Sequence, residues 1–275
     1  MTVLDAFALT DRVAVITGGA GLLGVKHAEA IAEAGGIPVL WDINAEAVEQ
    51  AAAKITDASG RPALGLRVDI TDPQAIRAAT DLIIDRFGLI DILVNNAAND
   101  PKVAPGQDMA WSRFENFALP MWNQDIAVGL TGAYLCAQAI GPMMAARGQG
   151  VILNISSDLG VISPDQRLYR KPGLADDQQP VKPVTYSVVK HGLLGLTKYL
   201  ATYWADRGVR VNAVSPGGVY TNQPDEFVAR LANLIPMGRM ASKDEYKATV
   251  VYLCSNASSY MTGQNVIVDG GRTVL

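Results

Sequence analysis

Tyr186 and Lys190 stand four residues apart in the stretch Tyr186-Ser-Val-Val-Lys190. On a helix that spacing places them on one face, a turn apart. An ammonium held beside a phenol favours the phenolate and lowers its pKa from about 10. A phenol tuned in this way takes a proton from an alcohol or gives one to a carbonyl. The same spacing also suits a solvated pair on a helix surface. Chemistry at Tyr186 requires a hydride carrier, a second hydrogen bond to the substrate and a pocket.

The N-terminal third carries the pattern of a hydride-carrier site. Val13-Ala-Val-Ile-Thr17 reads as a buried strand, Gly18-Gly-Ala-Gly-Leu-Leu-Gly24 follows at once, and a helical pattern over 28–34 comes next. Glycines let a backbone approach a diphosphate closely, and the helix N-terminus offers free N–H groups and the positive end of its dipole. A tight strand–helix turn packed with small residues has the same composition. Ile37-Pro-Val-Leu-Trp41 is a second strand, and Asp42 stands at its end, 24 residues after Gly18. An acid at that distance reaches the adenosine ribose hydroxyls and repels a 2′-phosphate. No arginine or lysine follows Asp42 closely, so NAD is favoured over NADP, although Asp42 also suits a helix cap before 44–53.

Strands are expected over 63–68 and 91–95, with Asp69 and Asn96 at their ends and Asp72-Pro73 opening the helix between them. Alternation of strands and helices implies a parallel sheet with helices on both faces, which binds ligands beyond the C-terminal strand ends. Residues 99–121 read as irregular, followed by a helix over about 122–146 and a fifth strand over 151–155 that delivers Ser156 and Ser157 to the same edge. A polar, proline-containing loop at about 158–183 reads as a substrate lid or a disordered insertion. The Tyr186 helix continues to about residue 205, with Gly192 and Gly195 permitting close helix contact. A sixth strand over 209–214, helices over about 225–234 and 242–255, and a seventh strand over 265–268 complete one domain spanning 1–275.

A net charge of −4 with 18% charged residues points to neither nucleic acid nor an anionic membrane. No uninterrupted run of about 18 apolar residues marks a membrane span, and residues 1–12 lack a basic segment followed by an apolar core. Cys136 and Cys254 lie in apolar surroundings and read as buried free thiols in a reducing cytoplasm. No Cys/His cluster has metal-ligand spacing, and His27 and His191 have no partner pattern.

These strings resemble, in order and over nearly the whole chain, the short-chain dehydrogenase/reductase family. The matching parts are the glycine string after Thr17, Asp69, Asn95-Asn-Ala97, the serine after the fifth strand, Tyr186-x3-Lys190, Pro216-Gly217 and Thr262-Gly-Gln…Asp269-Gly-Gly. The resemblance implies an α/β, Rossmann-type, doubly wound parallel seven-stranded sheet, a nicotinamide cofactor and a homotetramer or homodimer. It implies that Tyr186 is the acid/base, that Lys190 lowers its pKa and holds the nicotinamide ribose, and that Ser157, rather than Ser156, bonds the reacting oxygen. Cofactor contacts are implied for Gly18, Gly21, Leu23 and Gly24, for Asp42, Asp69 and Ile70, and for Asn96 and Ala97. Tyr186, Lys190, Pro216, Gly217, Val219 and Thr221 complete that set.

Three departures stand out. Gly21 comes one place earlier than in the common single-domain pattern, where Leu22 stands here. Gly129 occupies the place of an asparagine that supports a water relay to the lysine, a role left to Asn123 or to a repositioned water. Ser157 and Tyr186 are 29 residues apart, against about a dozen in the family. Pro183-Val-x-Tyr-Ser, residues 215–224 and residues 263–269 are similar to the branch associated with flagellin modification and acidic-sugar pathways. That likeness implies an NAD-dependent oxidoreductase of a sugar or nucleotide-activated sugar, with Arg167, Arg170 and Lys171 either meeting a substrate diphosphate or staying solvated. A polyol, acyl thioester or ring ketone substrate, or a non-catalytic NAD-binding regulator, fits the same residues.

Overall fold

The computed structural model describes residues 2–101 and 109–275; part of the irregular segment expected over 99–121 therefore lies outside the described residues. A seven-stranded sheet runs through the chain in the order β3-β2-β1-β4-β5-β6-β7. The strands are β1 Val13–Thr17, β2 Ile37–Asp42, β3 Leu64–Arg67, β4 Ile92–Asn95, β5 Gly150–Ile155, β6 Val209–Pro216 and β7 Asn265–Val268. Every neighbouring pair is parallel. A parallel sheet must be covered on both faces, which is why its strands read as continuous apolar runs.

Alternate residues of β1 feed the two cores. Val13 and Val15 pack with Ile83, Ile140, Met144 and Leu200 on one face. Ala14 and Ile16 pack with Ile31, Ile55, Val250 and Leu253 on the other. The first face is covered by α3 Pro73–Phe87, α5 Gly132–Arg147 and α6 Val184–Tyr203. The second is covered by α1 Leu22–Glu33, α2 Ala45–Ser59 and α8 Lys247–Cys254. Each fully buried aliphatic side chain contributes about 1.5–3 kcal/mol by leaving water. Cys136 and Cys254 sit in these cores as free thiols, and burial raises each to about 12, so neither is a reactive thiolate at neutral pH.

Several boundaries differ from the sequence expectation for local reasons. Helix α1 begins at Leu22, directly off the glycine turn. The cap of α2 is Asn44, whose side chain accepts from the Ala47 N–H, so Asp42 is left for another role. The last long helix starts only at Lys247, because Glu245 folds back onto the Ser242 N–H and Arg239. Gly192 does permit close contact, with Leu130, but Gly195 faces open space.

The helix expected over 122–146 runs instead from α4 Leu119–Ile126 through a π-helical turn, Ala127–Thr131, into α5. By length and composition this 29-residue stretch is apolar enough to cross a membrane. Its inner side packs on α3, α6 and the sheet.

His27, on α1, is fully buried with no hydrogen-bond partner among the described residues at either ring nitrogen. Burial pushes its pKa from 6.5 down to about 4, so the ring is neutral in the folded protein. The unfolded chain binds the extra proton between those values. Stability from this site is therefore complete above about pH 6.5 and is lost as pH falls toward 4. Urea unfolding at pH 7 and pH 4.5 should show a loss in wild type larger by about 2 kcal/mol than in His27→Met, since a tenfold difference in proton affinity between the folded and unfolded chains is worth about 1.4 kcal/mol. Parallel losses in the two proteins would refute this.

Candidate active site

The C-terminal ends of β1 to β6 open into a cavity of about 840 Å³. Strand order reverses between β1 and β4, the switch point at which such sheets bind nucleotides. The glycine turn lies there. Gly18 has a φ of +62°, which L side chains rarely adopt. A Cβ on Gly24 would lie 2.1 Å from the Gly18 carbonyl oxygen, so only glycine lets α1 start this close to the turn.

The turn is held from β4. The Thr17 hydroxyl accepts from the N–H groups of Asn96 (3.0 Å) and Ala97 (3.1 Å). Asn96 Nδ2 donates to the carbonyls of Thr17 (2.9 Å) and Gly18 (3.1 Å). Asp42 accepts from the Ala20 N–H on one oxygen (3.1 Å) and from the Asn44 N–H on the other (3.0 Å). Asp69 accepts from the N–H and hydroxyl of Thr71. Among the described residues no side chain caps the N-terminus of α1. A glycine-lined turn, an uncapped helix N-terminus and a carboxylate at the end of β2 fit a nicotinamide dinucleotide. Gly18, Gly21, Leu23 and Asp42 line the cavity, as do Asp69, Ile70, Asn96 and Ala97. Pro216, Gly217, Val219 and Thr221 close it from β6 and the segment after it. Gly24 does not line it; this residue belongs to the packing beneath the turn.

Ser157, Tyr186 and Lys190, to which the family resemblance assigns the acid/base work, line the same cavity. Ser157 follows β5, and Tyr186 and Lys190 occupy the first turns of α6, whose start is tied to α4 by a buried Thr185–Asp125 hydrogen bond of 2.5 Å. The Ser156 hydroxyl donates to the Lys190 carbonyl (2.9 Å), which makes it a structural residue. The Ser157 hydroxyl donates to Asp158 Oδ1 (2.8 Å) and accepts from the Leu159 N–H (3.2 Å). Lys190 is buried, and its ammonium donates to the Ile155 carbonyl at 2.8 Å. Among the described residues, its other two ammonium donors have no hydrogen-bond partner and remain for a ligand.

The electrostatics differ from the expectation drawn from spacing. Burial pushes the Tyr186 phenol above its ordinary value; the Asp100 carboxylate adds to this, the Ser157 hydroxyl opposes it, and Asp158 adds a further upward push. Burial likewise lowers Lys190 to about 8, with Asp100 pulling it up and Lys182 pushing it down. The Lys190 ammonium stands 5.6 Å from the Tyr186 ring centre, whereas Lys182 Nζ lies over the ring at 3.8 Å and pairs with Asp100 at 2.6 Å. Desolvation thus dominates the phenol, and a second cation stands over its ring. Lys182 stands as far before Tyr186 as Lys190 stands after it, a symmetry visible in the sequence.

At Gly129, a Cβ would lie 2.5 Å from Val189 Cγ1. No asparagine side chain fits there, and the helix widens into its π turn at this point. Asn123 is exposed and does not line the cavity, so it is no substitute; Gln124 and Val128 reach the cavity instead.

The 158–183 segment is docked, with short 3₁₀ turns at Asp158–Gly160, Gln166–Tyr169 and Asp176–Gln178. Gln179 clamps it through bonds to Lys171 and Leu174, and Leu168 packs with Leu231, Ile235 and Met240 around α7 Asp225–Ala232. Arg170 and Lys171 line the cavity, but Arg167 is turned away, paired at 2.6 Å with Asp165. Sequence reasoning missed Asp158 and Arg272, a buried ion pair at 2.5 Å on the cavity wall. Among the described residues no group of His, Cys, Asp and Glu side chains could hold a metal ion.

A dinucleotide cradle and a Ser–Tyr–Lys set meeting in one cavity define a nicotinamide-dependent oxidoreductase. A family model described as short chain dehydrogenase matches residues 12–169, and one described as Enoyl-(Acyl carrier protein) reductase matches residues 175–273. The D-threitol dehydrogenase of Mycolicibacterium smegmatis is 34% identical over 98% of this chain and 95% of its own. The NAD-dependent glycerol dehydrogenase of Listeria innocua is 34% identical over 98% and 96%. A crystal structure of gluconate 5-dehydrogenase from Burkholderia cenocepacia, in complex with NADP and tartrate, superposes with a TM-score of 0.85 at 31% identity, covering all of both chains. The chain belongs to the short-chain dehydrogenase/reductase family.

Proposed function

We propose that the protein is an NAD-dependent dehydrogenase that oxidises a secondary alcohol of a small polyol or sugar. The observation that carries this reading is the placement of Ser157, Tyr186 and Lys190 in the same cavity as the glycine turn and Asp42. The bound nicotinamide supplies the hydride acceptor. Tyr186 takes the hydroxyl proton, the Ser157 hydroxyl swings from Asp158 to donate to the reacting oxygen, and the Lys190 ammonium holds positive charge near the phenol. The enclosing side chains of the 158–183 segment and α7 exclude water.

Asp42 supports NAD, since its carboxylate opposes a 2′-phosphate and the residues directly after it carry no cation. Arg67 is its neighbour in register on β3 but does not line the cavity. A cavity of about 840 Å³ that must also take a dinucleotide favours a small substrate, because pockets for a single drug-sized ligand are about 300–1,000 Å³. The names of the threitol, glycerol and gluconate relatives agree with that size. A nucleotide-activated sugar is the second reading, favoured by Arg170 and Lys171 on the cavity wall. The exposed, stacked Tyr199 and Tyr203 on α6 support a homotetramer or homodimer, and the buried free thiols support a cytoplasmic setting.

Initial rates with tetritols, pentitols, glycerol, aldonates and sugar nucleotides, each with NAD⁺ and NADP⁺, test the reading. Polyol turnover at least tenfold more efficient with NAD⁺ is expected, with Asp42→Ala narrowing the cofactor ratio. Turnover confined to sugar nucleotides would replace the substrate class, and a preference for NADP⁺ would overturn the role of Asp42.

A further inference from the structure

Asp158 and Arg272 form a buried pair that the acid/base scheme does not use. Asp158 is 3% exposed and Arg272 is 8% exposed, although the two are far apart in sequence. Arg272 comes from the last turn of the chain, Arg272–Val274, after β7. The Asp158 carboxylate is shared: Oδ2 accepts from Arg272 Nη1 at 2.5 Å, while Oδ1 accepts from the Ser157 hydroxyl and the Leu159 N–H, each at 2.8 Å.

This arrangement places a competitor beside the serine. Ser157 has one hydroxyl proton, and both the substrate oxygen and the Asp158 carboxylate are acceptors for it. A buried carboxylate without a cation is a strong acceptor, whereas one neutralised by a guanidinium is weaker. The same carboxylate opposes ionisation of the Tyr186 phenol, and a guanidinium paired with a carboxylate weakens the field that carboxylate exerts on its neighbours.

We propose that Arg272 is a positioning residue of the active site, which by neutralising Asp158 releases the Ser157 hydroxyl proton for the reacting oxygen. The proposal rests on the assignment of Ser157 and Tyr186 to the reacting oxygen. Other charged or titratable groups face the centre too. Asp100 and Lys182 lie beside the Tyr186 ring, Lys190 lies on α6, Tyr169 comes from the 158–183 segment, and Tyr246 comes from the turn before α8. All of them remain in the variants below, so the comparison isolates the pair.

The test uses Asp158→Asn, Arg272→Met and the double variant, with kcat and KM for the alcohol measured across pH 6–10. Arg272→Met should lose at least tenfold in kcat with KM within about threefold, and the acidic limb of its kcat profile should move to higher pH. Adding Asp158→Asn should recover at least tenfold of any larger loss and return the limb toward lower pH. Where Arg272→Met does not fold, the double variant is compared with Asp158→Asn, and equal kcat within about threefold is expected because Arg272 acts only through the Asp158 charge. A double variant more than tenfold slower than Asp158→Asn would overturn the proposal. A rise in KM at unchanged kcat in Arg272→Met, which marks a substrate ligand, would overturn it as well. Melting of the cofactor-free proteins should show Asp158→Asn offsetting the loss caused by Arg272→Met, and additive losses count against the proposal. A wild type that oxidises no alcohol refutes the functional reading, while the melting comparison still reports whether the two side chains are coupled.

Discussion

Replacing Tyr186 with phenylalanine should lower kcat by about 10³-fold, the scale of a positioned general acid/base, while the dissociation constant for NAD⁺ changes by no more than about threefold. The variant removes one oxygen and keeps the ring against which Lys182 sits at 3.8 Å. Lys190 keeps its bond to the Ile155 carbonyl, so the neighbouring charge stays in place. The loss therefore reports proton transfer and not a collapsed site. Burial raises the phenol in the cofactor-free protein even with the Lys182 and Lys190 ammoniums already beside the ring, so Tyr186 is a poor base in that state. Calorimetry for NAD⁺ binding, together with steady-state kinetics on the best polyol, checks both halves of the expectation. Equal kcat in the two proteins would remove Tyr186 from the mechanism.

Gly24→Ala should weaken NAD⁺ binding by at least 100-fold. The added Cβ would lie 2.1 Å from the Gly18 carbonyl oxygen and 3.0 Å from Asn96 Nδ2. Neither neighbour can yield cheaply. The first is backbone, and the second carries the bonds to Thr17 and Gly18 that shape the turn. Helix α1 must move away from the turn, and its N-terminal N–H groups leave the position at which they meet a diphosphate. Gly60 provides the contrast for steric crowding, since a Cβ there meets nothing within 4 Å; its φ of +66° leaves only backbone strain. Gly60→Ala should cost about 1 kcal/mol of stability without touching NAD⁺ affinity. Titration of NAD⁺ into each variant decides the matter, with melting curves to confirm that both fold. Unchanged affinity in Gly24→Ala would mean that the cofactor does not use this turn.

Much of this architecture is written in local pattern. The β1 and β7 strands follow from short β-branched apolar runs, with Gly18 closing β1, and Asp72-Pro73 caps α3 as its residue types dictate. The Tyr186-x3-Lys190 spacing and the acids and amides at strand ends are legible because each depends on neighbours close in sequence. Most of what escaped notice depends on distant partners. Arg272 reaches Asp158 across the whole C-terminal half. Gly129 sits in the π turn with Val189, on another helix, filling the space that a side chain would take. Arg167 had the right charge in the right loop, yet Asp165 captured it. The phenol's environment also eluded the spacing argument, since helical periodicity reports which charges share a face and not how deeply they are buried.

The central claim is that this cavity moves a hydride from a secondary carbinol to a nicotinamide under the control of Tyr186. The most direct measurement is a single-turnover reaction with a small polyol deuterated at its carbinol carbons and excess NAD⁺, followed by mass and proton resonance analysis of the cofactor. The account predicts deuterium on the nicotinamide ring in wild type and about 10³-fold less transfer per unit time in Tyr186→Phe. Reduced cofactor without deuterium, or equal transfer in the two proteins, would contradict it.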